Sequence, residues 1–251
     1  MPSNLVMAGG GGGAYSIANS LIFDGTSYLS NTFSTPTDTD KCTLSFWAKV
    51  VNHDSHQVLF SAGSATSDYF RVFFAATGDV RFAETVASAV QFNVQSSGLY
   101  RDYASWRHYC FVYDSTQATE ADRVKVYIDG VAIAFSSSTY PAQNDNATYL
   151  NSAIAHYIGY SVGPTVYEPN SYLAAFIFLD GQALTPDSFG EWHPDCPQIW
   201  RPINPSGLDF SGTNSFWLDF KDGTSATTVS YTHLRAHETT SHISYAVFCL
   251  K

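Results

Sequence analysis

Short runs of β-type residues, separated by glycine-containing turns, recur along residues 20–220, and this pattern constrains the fold more than any other feature. The turns Asp24-Gly25, Asp129-Gly130 and Asp180-Gly181 suit the positive φ angles of tight hairpins. No stretch has the apolar period of a long amphipathic helix. The spacing therefore predicts an all-β domain built as a sandwich of antiparallel sheets.

The clearest hairpin is the segment VKVYIDGVAIAF. Its residues Val124, Val126 and Ile128 alternate with more polar residues, and successive side chains of a strand point to opposite faces. These three aliphatic residues are therefore predicted to face the core. Asp129 and Gly130 are predicted to form the type I′ turn between the two strands.

Composition limits the class of protein. Apolar residues make up 45% and aromatic residues 16% of the 251, which suffices for a core and excludes a disordered chain. The formal net charge of −10 would repel a phosphate backbone, so we predict no nucleic-acid binding. No apolar stretch reaches the ~20 residues of a spanning helix, so no membrane insertion is predicted. The four cysteines lack CxxC spacing and are predicted to be buried free thiols.

The two ends differ from the central sequence. Residues 9–13 are five consecutive glycines, and residues 1–19 are predicted to be a flexible tail or linker. The run VSYTHLRAHET near the other end resembles the translation of a transposase-type sequencing-library adapter. We therefore predict that residues 229–251 are read-through of a metagenomic fragment. Residues 20–228 are predicted to be the native domain, cut from a longer parent.

Several runs taken together resemble a known family: SLIFDGTSYLS, TLSFWAKV, SWRHYCFVYDST, DRVKVYIDGV and YLAAFIFLDGQALTPDSFGEW. They are similar to the laminin-G-like (LamG) branch of the concanavalin A-like lectin/glucanase superfamily, as found in structural and tail-fibre-type proteins of marine bacteriophages. The resemblance implies a jelly-roll β-sandwich of two antiparallel sheets, one concave, with rim loops available to sugars. Related domains often carry an acidic pair where this chain has Ala174-Ala175. No cofactor is assigned, and calcium is the one ion that the resemblance suggests.

Catalysis by a glucanase needs two carboxylates on one face, about 5 to 9.5 Å apart. Ahead of residue 229 the sequence has four glutamates: Glu84, Glu120, Glu168 and Glu191. None has a second carboxylate at strand spacing within a clear strand, and the GxSxG and HExxH motifs are absent. We predict no catalytic and no metal-binding residues. His108 and His156 are interpreted as strand residues satisfied within the domain.

Two groups of residues have the side chains that sugar binding requires, namely aromatic rings for the apolar face of a pyranose and planar polar groups for its hydroxyls. One group lies on and beside the loop of residues 141–150, and the other at the start of a predicted strand. The loop group comprises Tyr140, Asn144, Asp145, Asn146 and Tyr149, and the strand group comprises Asp68 and Tyr69. The alternative is a polar loop whose Asn and Asp residues serve turns.

The leading hypothesis is a non-catalytic carbohydrate-binding or structural module of a phage virion or tail-fibre protein. Such a module would bind host-surface glycans or other virion proteins, with or without forming an oligomer. Its location would be the virion, or otherwise the extracellular space or a cell surface. The alternatives are a glycan-cleaving enzyme of glucanase type, which shares the fold class, and a cellular surface adhesion domain.

Overall fold

The computed structural model describes residues 15–103, 105–163 and 169–221, and the backbone of residues 230–232. Two antiparallel sheets stack face to face, and a two-stranded hairpin forms a third, smaller sheet. The predicted jelly-roll sandwich of two antiparallel sheets is thereby confirmed. Within the described ranges, helical structure is limited to three 3₁₀ turns: Glu120–Asp122, Pro186–Ser188 and Pro205–Gly207. No helix there is long and apolar enough to cross a bilayer.

Sheet A has seven strands, numbered in chain order along the whole protein. In spatial order its path is β1 (Leu21–Asp24), β13 (Asn170–Asp180), β3 (Lys41–Val50), β8 (Arg107–Asp114), β9 (Val124–Ile128) and β10 (Val131–Ala132), with β16 (Phe216–Leu218) also on β13. Asp129 and Gly130 have φ angles of 49° and 78°, as a type I′ turn requires. The predicted core residues Val124, Val126 and Ile128 are all buried.

Sheet B has eight strands. Their spatial order is β11 (Phe135–Thr139), β7 (Ala89–Ser96), β6 (Val80–Val86), β5 (Asp68–Phe74), β4 (Gln57–Ala65), β12 (Ala155–Ile158), β2 (Tyr28–Thr32) and β17 (Ser230–Thr232). The small hairpin comprises β14 (Gly190–His193) and β15 (Cys196–Pro202). Strand β17 lies in the predicted adapter segment, and the rest of that segment is outside the described residues.

Phenylalanine rings fill the space between the sheets. Phe46 and Phe176 of sheet A lie parallel with centroids 5.3 Å apart, and Phe176 meets Phe60 of sheet B edge to face at 5.6 Å. All three are at most 1% exposed. Burying one such side chain stabilises a fold by about 1.5 to 3 kcal/mol, so this layer contributes strongly to the stability of the sandwich.

The outer face of sheet A is also buried. Cys110 and Ile177 point away from the phenylalanine layer, and they pack against Phe189 and other apolar residues of the segment 183–210. On the same face Ile17, which the sequence assigns to the tail of residues 1–19, packs with Trp47 and Trp200. Residues 1–14 of that tail lie outside the described part of the chain. The central part of the outer face of sheet A is therefore covered by the protein's own chain.

The three cysteines within the described residues are of two kinds, and Cys249 lies outside those residues. Cys42 and Cys110 are free and buried, as predicted, and burial raises the pKa of both thiols. Cys196 is disulfide-bonded, so the prediction of a free thiol is wrong at that position. The error has a physical reason, because the sequence has no CxxC or similar spacing from which a disulfide could be predicted.

Candidate functional site

The loop of residues 141–152 is fixed to the sandwich by Glu84. This side chain lies on the inner face of β6 and is 1% exposed. Its carboxylate accepts the backbone N–H groups of Thr148, Tyr149 and Leu150 at 2.9, 2.7 and 2.9 Å. Burial raises the pKa of Glu84, while the three donors favour its charged form. The loop is therefore held in one position at the edge of sheet B.

Asp68 and Tyr149 of the predicted site meet at this rim. The Tyr149 hydroxyl donates to Asp68 Oδ1 at 3.2 Å, and the Ala87 N–H donates to the same oxygen at 2.8 Å. The Ser67 hydroxyl donates to Asp68 Oδ2 at 2.5 Å, and these bonds, that from Ser67 first, hold the pKa of Asp68 below its usual value. The structure thus joins two residues that lie 81 positions apart.

Tyr69 follows on the outer face of sheet B, because side chains alternate along β5. The Arg71 guanidinium lies 4.4 Å from the centroid of the Tyr69 ring. Arg71 Nε also donates to the Val162 carbonyl at 2.6 Å. One face of the Tyr69 ring is therefore occupied by a cation that is itself anchored to the loop after β12.

The other four predicted residues take part in loop structure. Asn144 adopts a left-handed φ of 59°, the Asp145 carbonyl accepts the Tyr113 hydroxyl at 2.9 Å, and Asn146 Oδ1 accepts the Thr39 hydroxyl at 2.6 Å. Tyr140 packs partly buried against the core. No hydrogen bond joins these four residues to Asp68, Tyr69 or Tyr149. Their geometry matches the alternative interpretation, in which Asn and Asp serve turns.

The outer face of sheet B is open, and we call it the open face. A row of residues in register crosses its strands: Tyr157, Ser61, Arg71, Ala83 and Asn93. The strands of sheet B contain two carboxylates, Glu84 on the inner face and Asp68 at the start of β5. Ser61 and Arg71 of this row are buried, at 0% and 6% exposure, whereas Tyr157, Ala83 and Asn93 are half-buried. With Arg81 and Thr85 of β6, the accessible strand positions on the open face offer phenol, guanidinium, amide and hydroxyl groups and no acid beyond the rim.

Sequence reasoning missed three tyrosines on this face, Tyr28, Tyr157 and Tyr160. In β12 the buried residues His156 and Ile158 alternate with Tyr157, which faces outward. The alternation within AHYI is a signal that could have placed Tyr157. No local pattern would have placed Tyr28 beside it, because the two strands are far apart in sequence.

On the covered face of sheet A, Ser45 and His108 form a buried pair. Trp200 Nε1 donates to His108 Nδ1 at 3.1 Å, so His108 Nε2 carries the proton and donates to Ser45 Oγ at 2.8 Å. Burial lowers the pKa of His108 to about 3. This histidine cannot take a proton from Ser45, which a nucleophile and base pair would require. His108 is satisfied within the domain, as predicted.

His156 is the second buried histidine. Its ring nitrogens lie 3.0 Å from the Ile154 carbonyl and 3.2 Å from the Leu150 carbonyl, and its ring stacks on Phe33 at 3.7 Å. Burial lowers its pKa to about 4, against the smaller influence of the carbonyls. The prediction that this histidine is satisfied within the domain is also confirmed.

The residues present do not fit a calcium ion at the position where related domains carry an acidic pair. Ala174 and Ala175 are buried among apolar side chains, beside Trp47 and Trp200. Across the described residues, no group of three or more His, Cys, Asp or Glu side chains is placed to hold a metal. Glu191 is paired with Arg201 at 2.6 Å, and Glu168 lies outside the described ranges.

The chain matches the model of one known protein family. A family model described as the concanavalin A-like lectin/glucanases superfamily matches residues 23–173. The segment 183–210, which covers sheet A, follows these matched residues. No curated protein matches the chain.

Several solved structures are similar in fold. A SAP-like pentraxin from Limulus polyphemus is 17% identical, with 68% of this chain and 80% of that chain covered and a TM-score of 0.46. Domains LG4-5 of the mouse laminin alpha1 chain are 14% identical, with 84% and 50% covered and a TM-score of 0.47. The CBM40 of a Ruminococcus gnavus IT-sialidase, bound to alpha2,6 sialyllactose, is 14% identical, with 70% and 96% covered and a TM-score of 0.45.

Proposed function

Because this chain belongs to the concanavalin A-like lectin/glucanase superfamily, we propose that it is a non-catalytic glycan-binding module whose binding surface is the open face and its rim. The observation that carries the proposal is the composition of this surface. Tyrosine rings, amides and hydroxyls share one accessible sheet face, and the Asp68–Tyr149 pair borders it. Aromatic rings receive the apolar face of a pyranose, and planar polar groups pair with its hydroxyls.

The arrangement of carboxylates supports the non-catalytic part of the proposal. Both oxygens of Glu84 already accept backbone donors inside the sandwich. In sheet A the strand carboxylates Asp24, Asp114 and Asp180 each stand at the last position of their strand. Glycoside hydrolysis needs two acids that face one bond. Asp68 and Glu84 lie on the same side of neighbouring strands, but both carboxylates already accept hydrogen bonds from the turn and the loop that they hold.

We further propose that the module belongs to a virion or tail-fibre protein and attaches it to glycans of the host surface. This finer assignment is supported by the resemblance of the sequence runs to phage proteins. The native domain is then residues 20–228, with residues 229–251 added by the adapter. A cellular surface adhesion domain would use the same open face, so the location and the binding chemistry are separate questions.

The test is a glycan array probed with the full chain, once with calcium and once with EDTA. We expect binding to a defined subset of glycans that EDTA leaves unchanged. A Tyr69→Ala variant should lose part of the signal, since the ring borders the rim. A Tyr103→Ala variant is the matched control, because Tyr103 is 45% exposed and stands outside both sheets.

Two results would overturn the proposal. Absence of binding under both conditions would leave no glycan-binding role. Release of new reducing ends from any array glycan would favour the glucanase-type enzyme instead. Binding that disappears in EDTA would leave the glycan role standing and would contradict a binding surface that works without a metal ion.

A further inference from the structure

A cluster of three tyrosines, Tyr28, Tyr157 and Tyr160, lies at the β2–β12 end of the open face. Tyr28 and Tyr157 face outward from adjacent strands, whose alternate residues are buried. Gly159 then adopts a φ of +82°, and the Ser61 hydroxyl donates to the Tyr160 carbonyl at 2.6 Å. This turn brings Tyr160 back beside the other two rings.

The three rings pack against one another with inclined planes. Tyr28 and Tyr160 have centroids 5.0 Å apart and planes at 44°, and Tyr157 and Tyr160 have centroids 5.2 Å apart and planes at 49°. Tyr28 and Tyr157 are 5.9 Å apart at 64°. Coplanar rings would suit a flat, extended polysaccharide. Three packed rings with inclined planes instead give a small uneven surface, which suits a single sugar ring with one phenol beneath its C–H face and another at its edge.

The cluster is uncharged and its polar groups are available. None of the three phenolic hydroxyls hydrogen-bonds to another described residue, and each can both donate and accept. Burial, with the neighbouring phenols, raises the pKa of Tyr157, which keeps this group protonated. The residues paired with Tyr157 across the strands are Ser30 and Ser61. A charged sugar would find no counter-ion within the cluster.

A second surface group of aromatic residues shows why this cluster is preferred. Trp106 and Tyr172 lie near one another on sheet A, with ring centroids 6.4 Å apart. The Lys49 ammonium is 4.7 Å from the centroid of Tyr172 and 5.8 Å from that of Trp106. These rings already have a cation at their faces, whereas no cation–π contact involves the tyrosine cluster among the described residues.

We propose that Tyr28, Tyr157 and Tyr160 form the main subsite of this module, and that it binds a single neutral hexose at the end of a glycan. The inference rests on the proposed function, of which it specifies the subsite and the sugar class. The hexose stacks its C–H face on one phenol ring. Its hydroxyls then hydrogen-bond to the free phenolic hydroxyls.

The experiment is ligand-observed NMR titration of the full chain with methyl β-galactoside, methyl β-glucoside and N-acetylneuraminic acid. The variants are Tyr157→Ala and Tyr157→Phe, with Tyr103→Ala as the matched control. We expect at least one neutral glycoside to bind in the wild type. The Kd should rise about tenfold in Tyr157→Ala, about threefold in Tyr157→Phe, and remain unchanged in the control. Thermal unfolding of each variant separates loss of binding from loss of fold.

The outcomes distinguish the two proposals. If the wild type binds array glycans and Tyr157→Ala binds them equally well, the subsite is wrong and the glycan-binding function stands. If N-acetylneuraminic acid binds more tightly than both neutral glycosides, the neutral-hexose assignment is wrong. If the wild type binds no glycan and no glycoside, the proposed function itself fails.

Discussion

The outer faces of the two sheets differ although both sheets have the same antiparallel construction. On sheet A the outward residues Trp47, Cys110 and Ile177 are buried beneath the protein's own chain. On sheet B the outward row is exposed in part, because Ala83 and Asn93 are half-buried while the loop after β12 buries Ser61 and Arg71. The central strands β3, β8 and β13 of sheet A are buried on both faces, whereas β6 and β7 of sheet B alternate between buried and more exposed residues. The segment that follows β13 therefore determines which outer face of the sandwich stays exposed.

Lowering the pH should have the largest effect. Burial lowers the pKa of His108 to about 3 and that of His156 to about 4, below the 6.5 of a free imidazole. Both are neutral in the folded state, so the unfolded chain binds more protons below pH 6.5 and stability is lost as the pH falls. Each histidine contributes up to about 1.4 kcal/mol per pH unit. Glu84 and Asp129, whose pKa values burial raises, act in the opposite direction.

We therefore expect the free energy of unfolding in urea to fall by roughly 3 to 5 kcal/mol between pH 7 and pH 4. His108→Gln removes the titrating group from the covered face of sheet A, so its stability should depend less steeply on pH. A His108→Gln profile parallel to that of the wild type would mean that water reaches this face and that the covered-face description is wrong.

The next largest expected effect on stability comes from removing the Trp200 side chain, which covers part of the outer face of sheet A. Trp200 is 4% exposed, and its indole packs on His108 and donates to it. Trp200→Ala should cost about 3 to 5 kcal/mol of unfolding free energy, from lost burial and from the acceptor left unpaired. Trp192, on the neighbouring strand, is 41% exposed and is the control. Trp192→Ala should cost under about 1 kcal/mol of unfolding free energy. Equal losses in the two variants would contradict the role of Trp200 in covering the outer face of sheet A.

Alanine substitutions at two glycines test the turn at Gly159, which places Tyr160 in the tyrosine cluster on sheet B. Gly159 and Gly25 share a φ of +82°, but a Cβ on Gly159 would overlap the Phe23 ring, whereas nothing lies within 4 Å of one on Gly25. Gly25→Ala should cost about 1 kcal/mol for the backbone alone. Gly159→Ala adds overpacking, for a total of about 2 to 4 kcal/mol by urea denaturation. Similar losses would show that Phe23 can move aside.

Much of the fold could be predicted from sequence because its signals are local. Residues Val124, Val126 and Ile128 alternate within one strand, and Asp129-Gly130 takes the φ angles that its residue types allow. The cover on sheet A could not be predicted in this way. Trp200 reaches a histidine 92 positions away, and its strand begins with Cys-Pro and ends at Pro202, which is a weak strand signal.

Some features of the candidate site could also be predicted from local sequence, and others depend on the folded topology. Asn144 sits in a left-handed turn, a role that its residue type suggests, and the loop was identified from its composition. The pairing of Asp68 with Tyr149 depends on the position of Glu84, which fixes the loop from the inner face of β6. A buried acid that accepts three backbone donors has no sequence signature. The tyrosine cluster depends on strand neighbours that only the folded topology brings together.

The smallest predicted effect comes from replacing a threonine by valine on each of the two outer faces. Thr43 lies on the covered face, where its hydroxyl donates to the Gln182 carbonyl at 2.7 Å and accepts the Leu184 N–H at 2.8 Å. Thr43→Val leaves both backbone groups unpaired and should cost about 1 to 3 kcal/mol of unfolding free energy. Thr85 lies on the open face in β6 and is half-buried. Thr85→Val should change stability by less than about 0.5 kcal/mol, because water replaces any partner the hydroxyl loses. If Thr85→Val cost as much as Thr43→Val, a covering partner would have to exist on sheet B as well, and the open face would no longer be available to a glycan.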